Sequence, residues 1–257
     1  MFRVVIPARH ASTRLAGKPL ALLTGEPMIL HVHRIAMRSG AAEVIVATDD
    51  ERIRAACAAA GAVVEMTSAA HASGTDRIAE IAARRGWADQ EIVVNVQGDE
   101  PLLPHSLIAQ AAGLLAANPA AAIATLATPI ATDADYLDPN VVKVVARTDG
   151  MALYFSRAPI PWDRDGFASS PASRDRDRHR GARRHIGLYA YRVSALRALA
   201  AAPATALELR ERLEQLRALS IGLSIAVADA AEAPGPGVDT PEDLARVDAL
   251  MQGRLKT

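Results

Sequence analysis

The sequence predicts an α/β fold with a mostly parallel central sheet and helices on both of its faces. Two observations predict it. Short apolar runs alternate with longer segments of helical periodicity through the first half of the chain, which is typical of a parallel sheet covered by helices. The apolar runs are also almost continuous in Val and Ile, as expected for strands that are buried on both faces.

The first half of the chain supplies nine elements. Pro27 suits a first helical turn, and Gly40 and Gly61 fall just after predicted helices, where glycine commonly ends them. The predicted elements are strand 2–6, helix 27–39, strand 43–47, helix 50–60, strand 62–66, helix 75–85, strand 91–96, helix 104–117 and strand 121–126.

The pattern loosens after residue 128 and becomes regular again after residue 206. Residues 129–165 contain four prolines and two shorter strand-like pieces, 141–146 and 151–155, and are interpreted as an insertion or lid packed on the main sheet. A helix at 207–219 with a buried Leu209, Leu213 and Leu216 stripe, a strand at 223–227 and a helix from 241 to about 251 follow. We expect one domain, 1–257, with an inserted region at about 129–185.

Composition excludes several classes of protein. The 29 Lys and Arg residues are balanced by 29 Asp and Glu residues, so nucleic acid is not expected as the main partner. No apolar run reaches the roughly 18 residues of a membrane span, and the N-terminus lacks a signal-peptide pattern, so we expect a soluble cytoplasmic protein. The single cysteine, Cys57, lies in a predicted helix and is expected to be a buried, inert thiol.

A basic loop follows the first strand. Arg9, Arg14 and Lys18 lie among small residues whose backbone amides can point at one spot, an arrangement that suits a triphosphate. The loop is not a Walker A motif, because Pro19 stands where that motif needs a metal-binding hydroxyl. The alternative is a solvated basic turn.

Two carboxylates are expected at the same edge of the sheet. Gln97 and Asp99 follow a predicted strand, and the ligand crevice of an open parallel sheet lies beyond the carboxyl ends of its strands. Asp239 follows a Gly-Pro-Gly segment near the C-terminus. Asp99 and Asp239 together could hold Mg²⁺ against substrate phosphates. Separate turn and cap roles are the alternative, since Thr240 and Asp243 resemble a capping box.

Three further segments carry polar side chains. Residues 72–77 contain Ser73, Gly74, Asp76 and Arg77, which could contact a nucleoside or simply begin a helix. Strand alternation over 184–191 places His185, Gly187, Tyr189 and Tyr191 on one face, as in a small polar site or a half-exposed strand. Residues 174–184 hold six arginines beside two aspartates and are interpreted as a surface loop, with or without a role in attracting phosphate.

Several strings resemble one family, that of 3-deoxy-manno-octulosonate (Kdo) cytidylyltransferase, also called CMP-Kdo synthetase. The resemblance runs in order from residue 2 to about 250. The strings are VVIPARxASTRLxGKPL, IVATD, SGTDR, VNVQGDEP, YFSRAxIPWDR, RHIGLYAYR, LEQLR and GVDTPEDL.

This resemblance implies a nucleotide-diphospho-sugar transferase-like fold, a homodimer, and the reaction CTP + Kdo giving CMP-Kdo + diphosphate for lipopolysaccharide synthesis. The implied cofactor is Mg²⁺, held by Asp99 and Asp239. The implied catalytic residues are Arg14, Lys18, Asp99 and Asp239. The implied nucleotide-binding residues are Arg9, Ala11, Ser12, Arg14, Lys18, Ser73, Gly74, Asp76 and Arg77. The implied sugar-binding residues are Gln97, Arg157, His185, Tyr189 and Glu208.

The sequence departs from the family pattern at two places. Ala16 stands where proline is common, which removes no ligand, and residues 166–183 are longer and more basic than usual. Three alternatives remain open: a cytidylyltransferase for another sugar acid, a guanylyl- or uridylyltransferase, and a non-catalytic nucleotide-sensing module.

Overall fold

The computed structural model describes residues 1–10, 15–164 and 178–255. Its strands are β1 (Phe2–Ala8), β2 (Leu22–Leu23), β3 (Glu26–Pro27), β4 (Glu43–Thr48), β5 (Val63–Met66), β6 (Ile92–Asn95), β7 (Ile123–Pro129), β8 (Lys143–Ala146), β9 (Ala152–Ser156), β10 (Arg183–Arg192) and β11 (Ile225–Asp229). Its α-helices are α1 (Met28–Met37), α2 (Glu51–Ala59), α3 (Gly74–Arg84), α4 (His105–Ala117), α5 (Asp133–Leu137), α6 (Val193–Ala201), α7 (Ala206–Glu211), α8 (Gln215–Ser220) and α9 (Pro241–Leu255).

The main sheet has nine strands in the described residues, and seven of them lie in the order β11-β7-β10-β6-β1-β4-β5. Strands β6, β1, β4 and β5 are mutually parallel, and β11 is parallel to β7. Only β10, which lies between β6 and β7, runs antiparallel to both of its neighbours in this order. The prediction of a mostly parallel sheet is confirmed.

Helices cover both faces of the sheet, and β1 contributes side chains to the core on each face because successive residues of a strand point to opposite sides. Val4 and Ile6 pack into a core with residues of α1, α2 and α4, whereas Val5 packs into a second core with residues of α3 and α6. Cys57 is fully buried in the first core, and burial raises the pKa of its thiol to about 11, as expected for an inert thiol.

The inserted region extends the sheet on one side of β10. Strand β8 pairs antiparallel with both β10 and β9. Because β10 is antiparallel to β6, its first residues extend past the carboxyl end of β6. Strand β8 pairs with this extended part. The β8–β9 pair therefore lies beyond the carboxyl edge of the parallel strands.

The predicted helix at 207–219 is wrong. The structure has two short helices, α7 and α8, because Arg212 ends α7 in the left-handed conformation with φ 53°. Leu213 and Leu216 are buried as predicted, but Leu209 is 58% exposed. Helix α6, which follows β10 directly, was not predicted.

Across the described residues, no helix combines the length and the apolar character that crossing a membrane requires.

Candidate active site

A cleft opens at the carboxyl edge of β1 and β6. It is lined by residues from five separate parts of the chain: Pro7, Ala8, Arg9, Lys18, Pro19, His71, Ala72, Ser73, Gly74, Arg77, Gln97, Gly98, Asp99 and Asp239. The cleft thus brings together eight predicted site residues from distant motifs: Arg9, Lys18, Ser73, Gly74, Arg77, Gln97, Asp99 and Asp239.

Lys18 joins the two predicted metal-binding carboxylates. Its Nζ donates hydrogen bonds to Asp99 Oδ2 at 2.5 Å, to Asp239 Oδ1 at 3.0 Å and to the Val238 carbonyl at 3.0 Å. Burial disfavours the charge of Lys18, but the attraction and hydrogen bonds of Asp99 and Asp239 outweigh it and raise the pKa of the lysine. The two carboxylates therefore converge on one cationic centre.

Local structure fixes these three side chains. Gly17 adopts φ 67° just before the 3₁₀ turn Lys18–Leu20, a conformation that favours glycine. Gly98, just before Asp99, approaches the backbone so closely that an added Cβ would lie 3.2 Å from the Pro7 carbonyl.

The segment that carries Asp239 is held by the start of α9. Thr240 and Asp243 form the capping box that the sequence predicts: the Asp243 N–H donates to Thr240 Oγ1, and the Thr240 N–H donates to Asp243 Oδ2. The Asp239 N–H also donates to Asp243 Oδ2, at 3.1 Å. Capping thus engages the backbone of Asp239, while its carboxylate contacts Lys18.

A third carboxylate lies behind the pair. An added Cβ at Gly237 would lie 3.2 Å from Glu100 Oε1, so the glycine makes room for this side chain. Burial, followed by the negative charge of Asp99, raises the pKa of Glu100 to about 7. Glu100 was not predicted as a site residue, and its place directly after Asp99 was the only signal in the sequence.

The predicted nucleoside segment forms the start of α3. Ser73 caps the helix in a capping box with Asp76, so the prediction that this segment can begin a helix is confirmed. Gly74 is tightly packed, since an added Cβ would lie 3.0 Å from Pro7 Cγ. Arg77 lies beneath the cleft, 3% exposed, and its Nη2 donates to Asp49 Oδ2 at 2.9 Å. Ser73 and Gly74 are therefore rigidly placed beside β1.

Tyr189 and His185 lie on β10, next to the polar end of β6. Tyr189 pairs in register with Asn95, two residues before Gln97. His185 is buried, its ring lies 5.2 Å from that of Tyr189, and its Nε2 is 3.0 Å from Thr125 Oγ1. Burial lowers the pKa of His185 to about 3, so the ring is neutral at physiological pH.

The other two predicted sugar-binding residues have internal partners. Arg157 donates from Nε to the Glu211 carbonyl at 2.6 Å and from Nη1 to the Pro139 carbonyl at 2.8 Å. Glu208 accepts from the Thr205 N–H as part of a capping box and from Arg217 Nη2 at 2.7 Å. Neither residue lines the cleft as the described residues form it, and their sugar-binding roles stay predictions.

Glu214 is a second residue near the cleft that was not predicted from the sequence. Its Oε1 accepts a hydrogen bond from Ser73 Oγ at 3.2 Å, which links the loop between α7 and α8 to the start of α3. Burial raises the pKa of Glu214. The resemblance contained a signal, because Glu214 belongs to the LEQLR string.

Some predicted residues fall outside the described part of the chain. They are Ala11, Ser12 and Arg14 of the basic loop, together with residues 174–177 of the arginine-rich segment.

Comparison with known proteins gives the family. The chain matches the cytidylyltransferase family over residues 3–225. It is 55% identical to a 3-deoxy-manno-octulosonate cytidylyltransferase from Thioalkalivibrio sulfidiphilus over 254 residues, which cover 98% of this chain and 99% of the relative. It belongs to the 3-deoxy-manno-octulosonate cytidylyltransferase family.

Further comparisons extend over the same length. A 3-deoxy-manno-octulosonate cytidylyltransferase from Nitrosococcus oceani is 53% identical over 250 residues, which cover 97% of this chain and 96% of that protein. The solved structure of a CMP:2-keto-3-deoxy-manno-octonic acid synthetase complexed with CTP superposes with a TM-score of 0.87 at 41% identity, covering 99% of this chain and all of that one. The fold predicted from the resemblance is confirmed.

Proposed function

We propose that this protein transfers the cytidylyl group of CTP to Kdo, giving CMP-Kdo and diphosphate for lipopolysaccharide synthesis. One observation carries the proposal: in a chain of this family, Lys18, Asp99 and Asp239 come from three distant segments and meet at 2.5 and 3.0 Å in a cleft. A sensing module would not need this charged centre, whereas transfer of a nucleotidyl group to a sugar hydroxyl does.

The basic side of the cleft receives the triphosphate. Arg9 and Lys18 line it, and Arg14 belongs to the same loop in sequence. Fixed cations at this position would offset the negative charge that develops on the leaving diphosphate. Ser73 and Gly74, which also line the cleft, flank the nucleoside.

Asp99 and Asp239 would hold Mg²⁺. The fit is supported by the ammonium of Lys18, a cation that already lies between one oxygen of each carboxylate. Within the described residues, no group of three acidic, histidine or cysteine side chains could hold a metal alone. Two carboxylates completed by phosphate oxygens and water are an arrangement that Mg²⁺ favours. The bound ion would lower the pKa of the attacking hydroxyl and offset charge on the α-phosphate.

The protein's part in the reaction is to align the two substrates. The anomeric hydroxyl of the sugar attacks the α-phosphorus in line with the departing diphosphate. Gln97 lines the cleft together with Asp99, where it can orient the sugar, and Tyr189 pairs in register with Asn95, two residues before Gln97. No side chain has to act as the general base if the hydroxyl is activated by the ion.

Diphosphate release tests this function. The purified protein is incubated with Mg²⁺, CTP and either Kdo, its 8-amino analogue, sialic acid or no sugar. Release that requires CTP and Kdo together is expected. Release with a different sugar acid would change the substrate assignment, release with GTP or UTP instead of CTP would change the nucleotide, and no release with any combination would favour the sensing module.

Loss of either carboxylate should abolish turnover without unfolding the protein. Asp99→Asn and Asp239→Asn each remove one negative charge from the proposed metal site, and we expect kcat to fall by roughly 100-fold or more. Glu242→Asn, at an exposed position in the first turn of α9, is the control. Thermal melting should leave all three variants folded, and wild-type-like rates in either aspartate variant would contradict the two-carboxylate site.

We further propose that the protein is a cytoplasmic homodimer whose interface lies in the inserted region. Large apolar side chains of this region are exposed: Leu153 is 58% and Trp162 is 59% exposed. Leu207 and Leu209 of α7 are exposed as well, and Glu211 at the end of the same helix accepts hydrogen bonds from the Ser156 hydroxyl and the Arg157 N–H. Exposed apolar groups on connected elements are typical of a protein interface.

A further inference from the structure

His71 belongs to the cleft, but neither the sequence analysis nor the proposed mechanism gives it a role. It lies in the segment between β5 and α3, and it lines the cleft together with Ala72, Ser73 and Gly74. Its side chain is 23% exposed, so the imidazole is largely enclosed but still reaches solvent.

The segment that carries His71 is fixed at both ends. The Thr67 N–H donates to the Thr48 carbonyl at 2.8 Å, and Arg77 contacts the Thr67 hydroxyl from below. At the other end Ser73 caps α3. A short segment tied at both ends places its side chains with little freedom, which is what selective recognition of a ligand requires.

The imidazole of His71 is oriented by Glu80. Its Nε2 lies 2.5 Å from Glu80 Oε2, and the same carboxylate accepts from the Ser68 N–H at 2.9 Å and pairs with Arg84. Because an ionised carboxylate can only accept, Nε2 carries the proton. In the tautomer with its proton at Nε2 the ring has an acceptor at Nδ1, and Nδ1 has no hydrogen-bond partner in the parts of the chain that the structure describes.

We propose that His71, oriented by Glu80, selects cytosine over uracil by accepting a hydrogen bond at Nδ1 from the exocyclic amine of the base. The inference rests on the proposed function, which requires a cytidine nucleotide in this cleft. Cytosine has an amino group at the position where uracil has a carbonyl oxygen. An acceptor on the protein attracts the amino group of cytosine. The same acceptor repels the carbonyl oxygen of uracil, so one atom both favours CTP and disfavours UTP.

Two substitutions separate the two nitrogens of the ring. His71→Asn places an amide oxygen near the position of Nδ1 and keeps an acceptor there. His71→Gln places its amide near Nε2, so it keeps a contact with Glu80 and loses the acceptor at Nδ1. The measurement is kcat/KM for CTP and for UTP in the presence of Kdo, with CTP binding followed separately by calorimetry.

We expect the CTP-to-UTP preference of His71→Gln to fall by about tenfold or more, which is the effect of losing one buried hydrogen bond. His71→Asn should keep most of the preference. If both variants keep the full preference, or if both lose it equally, the proposal is wrong. Equal losses of CTP and UTP activity with an unchanged ratio would instead assign His71 a structural role and overturn the proposal.

The same measurements separate this inference from the proposed function. If the wild-type protein neither binds CTP nor uses it in preference to UTP, the proposed function fails regardless of His71. If the wild-type protein prefers CTP and His71→Gln does so equally, the function stands and only the inference fails.

Discussion

At the scale of single residues, burial sets the chemistry of the groups around the cleft. His185 illustrates the effect: the ring is enclosed by Phe155 and Tyr189, at centroid distances of 5.0 and 5.2 Å, and it stays neutral. The sequence placed His185 and Tyr189 on one face of a strand, which the structure confirms. It could not show that this face is covered, because the cover comes from β9, a strand distant in sequence.

His185 should make the protein less stable at mildly acidic pH. The pKa of the folded state is lowered to about 3, so the unfolded chain binds a proton below its own pKa near 6.5 while the folded chain does not. The neutral His185 therefore costs no free energy of unfolding above about pH 6.5, and the free energy of unfolding falls progressively as the pH drops below that value. Between pH 7.5 and pH 5 the loss should reach at most about 2 kcal/mol.

His185→Gln tests this pH dependence, because glutamine can keep the contact with Thr125 and does not titrate. Urea unfolding at pH 7.5 and pH 5 gives the free energy of unfolding of both proteins. The wild-type protein should lose more stability than the variant on acidification. Identical losses would mean that His185 is protonated in the folded state too.

At the scale of elements, glycines decide how closely segments approach around the carboxylates. An added Cβ at Gly235 would lie 2.6 Å from Leu102 Cβ, which no ordinary packing allows. Gly113 of α4 offers the opposite case, because nothing lies within 4 Å of an added Cβ. The sequence shows both glycines, but only the packing shows that a side chain fits at Gly113 and not at Gly235.

Alanine at these two glycines should change stability in opposite directions. Gly235→Ala forces the segment that leads to Asp239 away from Leu102 and should destabilise the protein by about 1–3 kcal/mol, with reduced turnover. Gly113→Ala should stabilise it by about 0.5–1 kcal/mol, because alanine is the better helix former. Thermal and urea unfolding measure both. A neutral Gly235→Ala would show that the segment can move freely.

The break in the helix predicted at 207–219 has a tertiary cause. Residues 207–219 have helical periodicity, yet Arg212 takes a left-handed conformation and its N–H closes onto the Glu208 carbonyl. Glu211 uses the break to reach β9, where it contacts Ser156 and Arg157. Contacts between distant segments thus override a local preference, as they commonly do for short helices.

At the scale of the whole molecule, the inserted region leaves an apolar side chain exposed at an edge of the sheet. Within the described residues β9 pairs only with β8, and Leu153 projects from it into solvent. Strand β5 forms another edge of the sheet, and its Val63 is 46% exposed. If the inserted region is the interface of a homodimer, these two edges should respond differently to an added charge.

Leu153→Lys should convert the dimer into monomers at micromolar concentration, because burying an unpaired ammonium in an apolar interface is costly. Val63→Lys is the matched control and should leave the mass unchanged. Sedimentation or light scattering gives the mass of each variant. A dimeric Leu153→Lys protein would place the interface elsewhere, and a monomeric wild-type protein would contradict the homodimer itself.

The sequence by itself determined the parallel α/β architecture, the cap at Thr240 and the residues of the charged centre. These follow from local signals: apolar runs, glycine and proline positions, and strings long enough to carry a resemblance. Only the tertiary structure decided that Lys18 lies between Asp99 and Asp239, that Glu100 and Glu214 border the site, and that His71 is held by Glu80. Such contacts join residues separated along the chain, and their distances depend on how sheet and helices pack rather than on any local pattern.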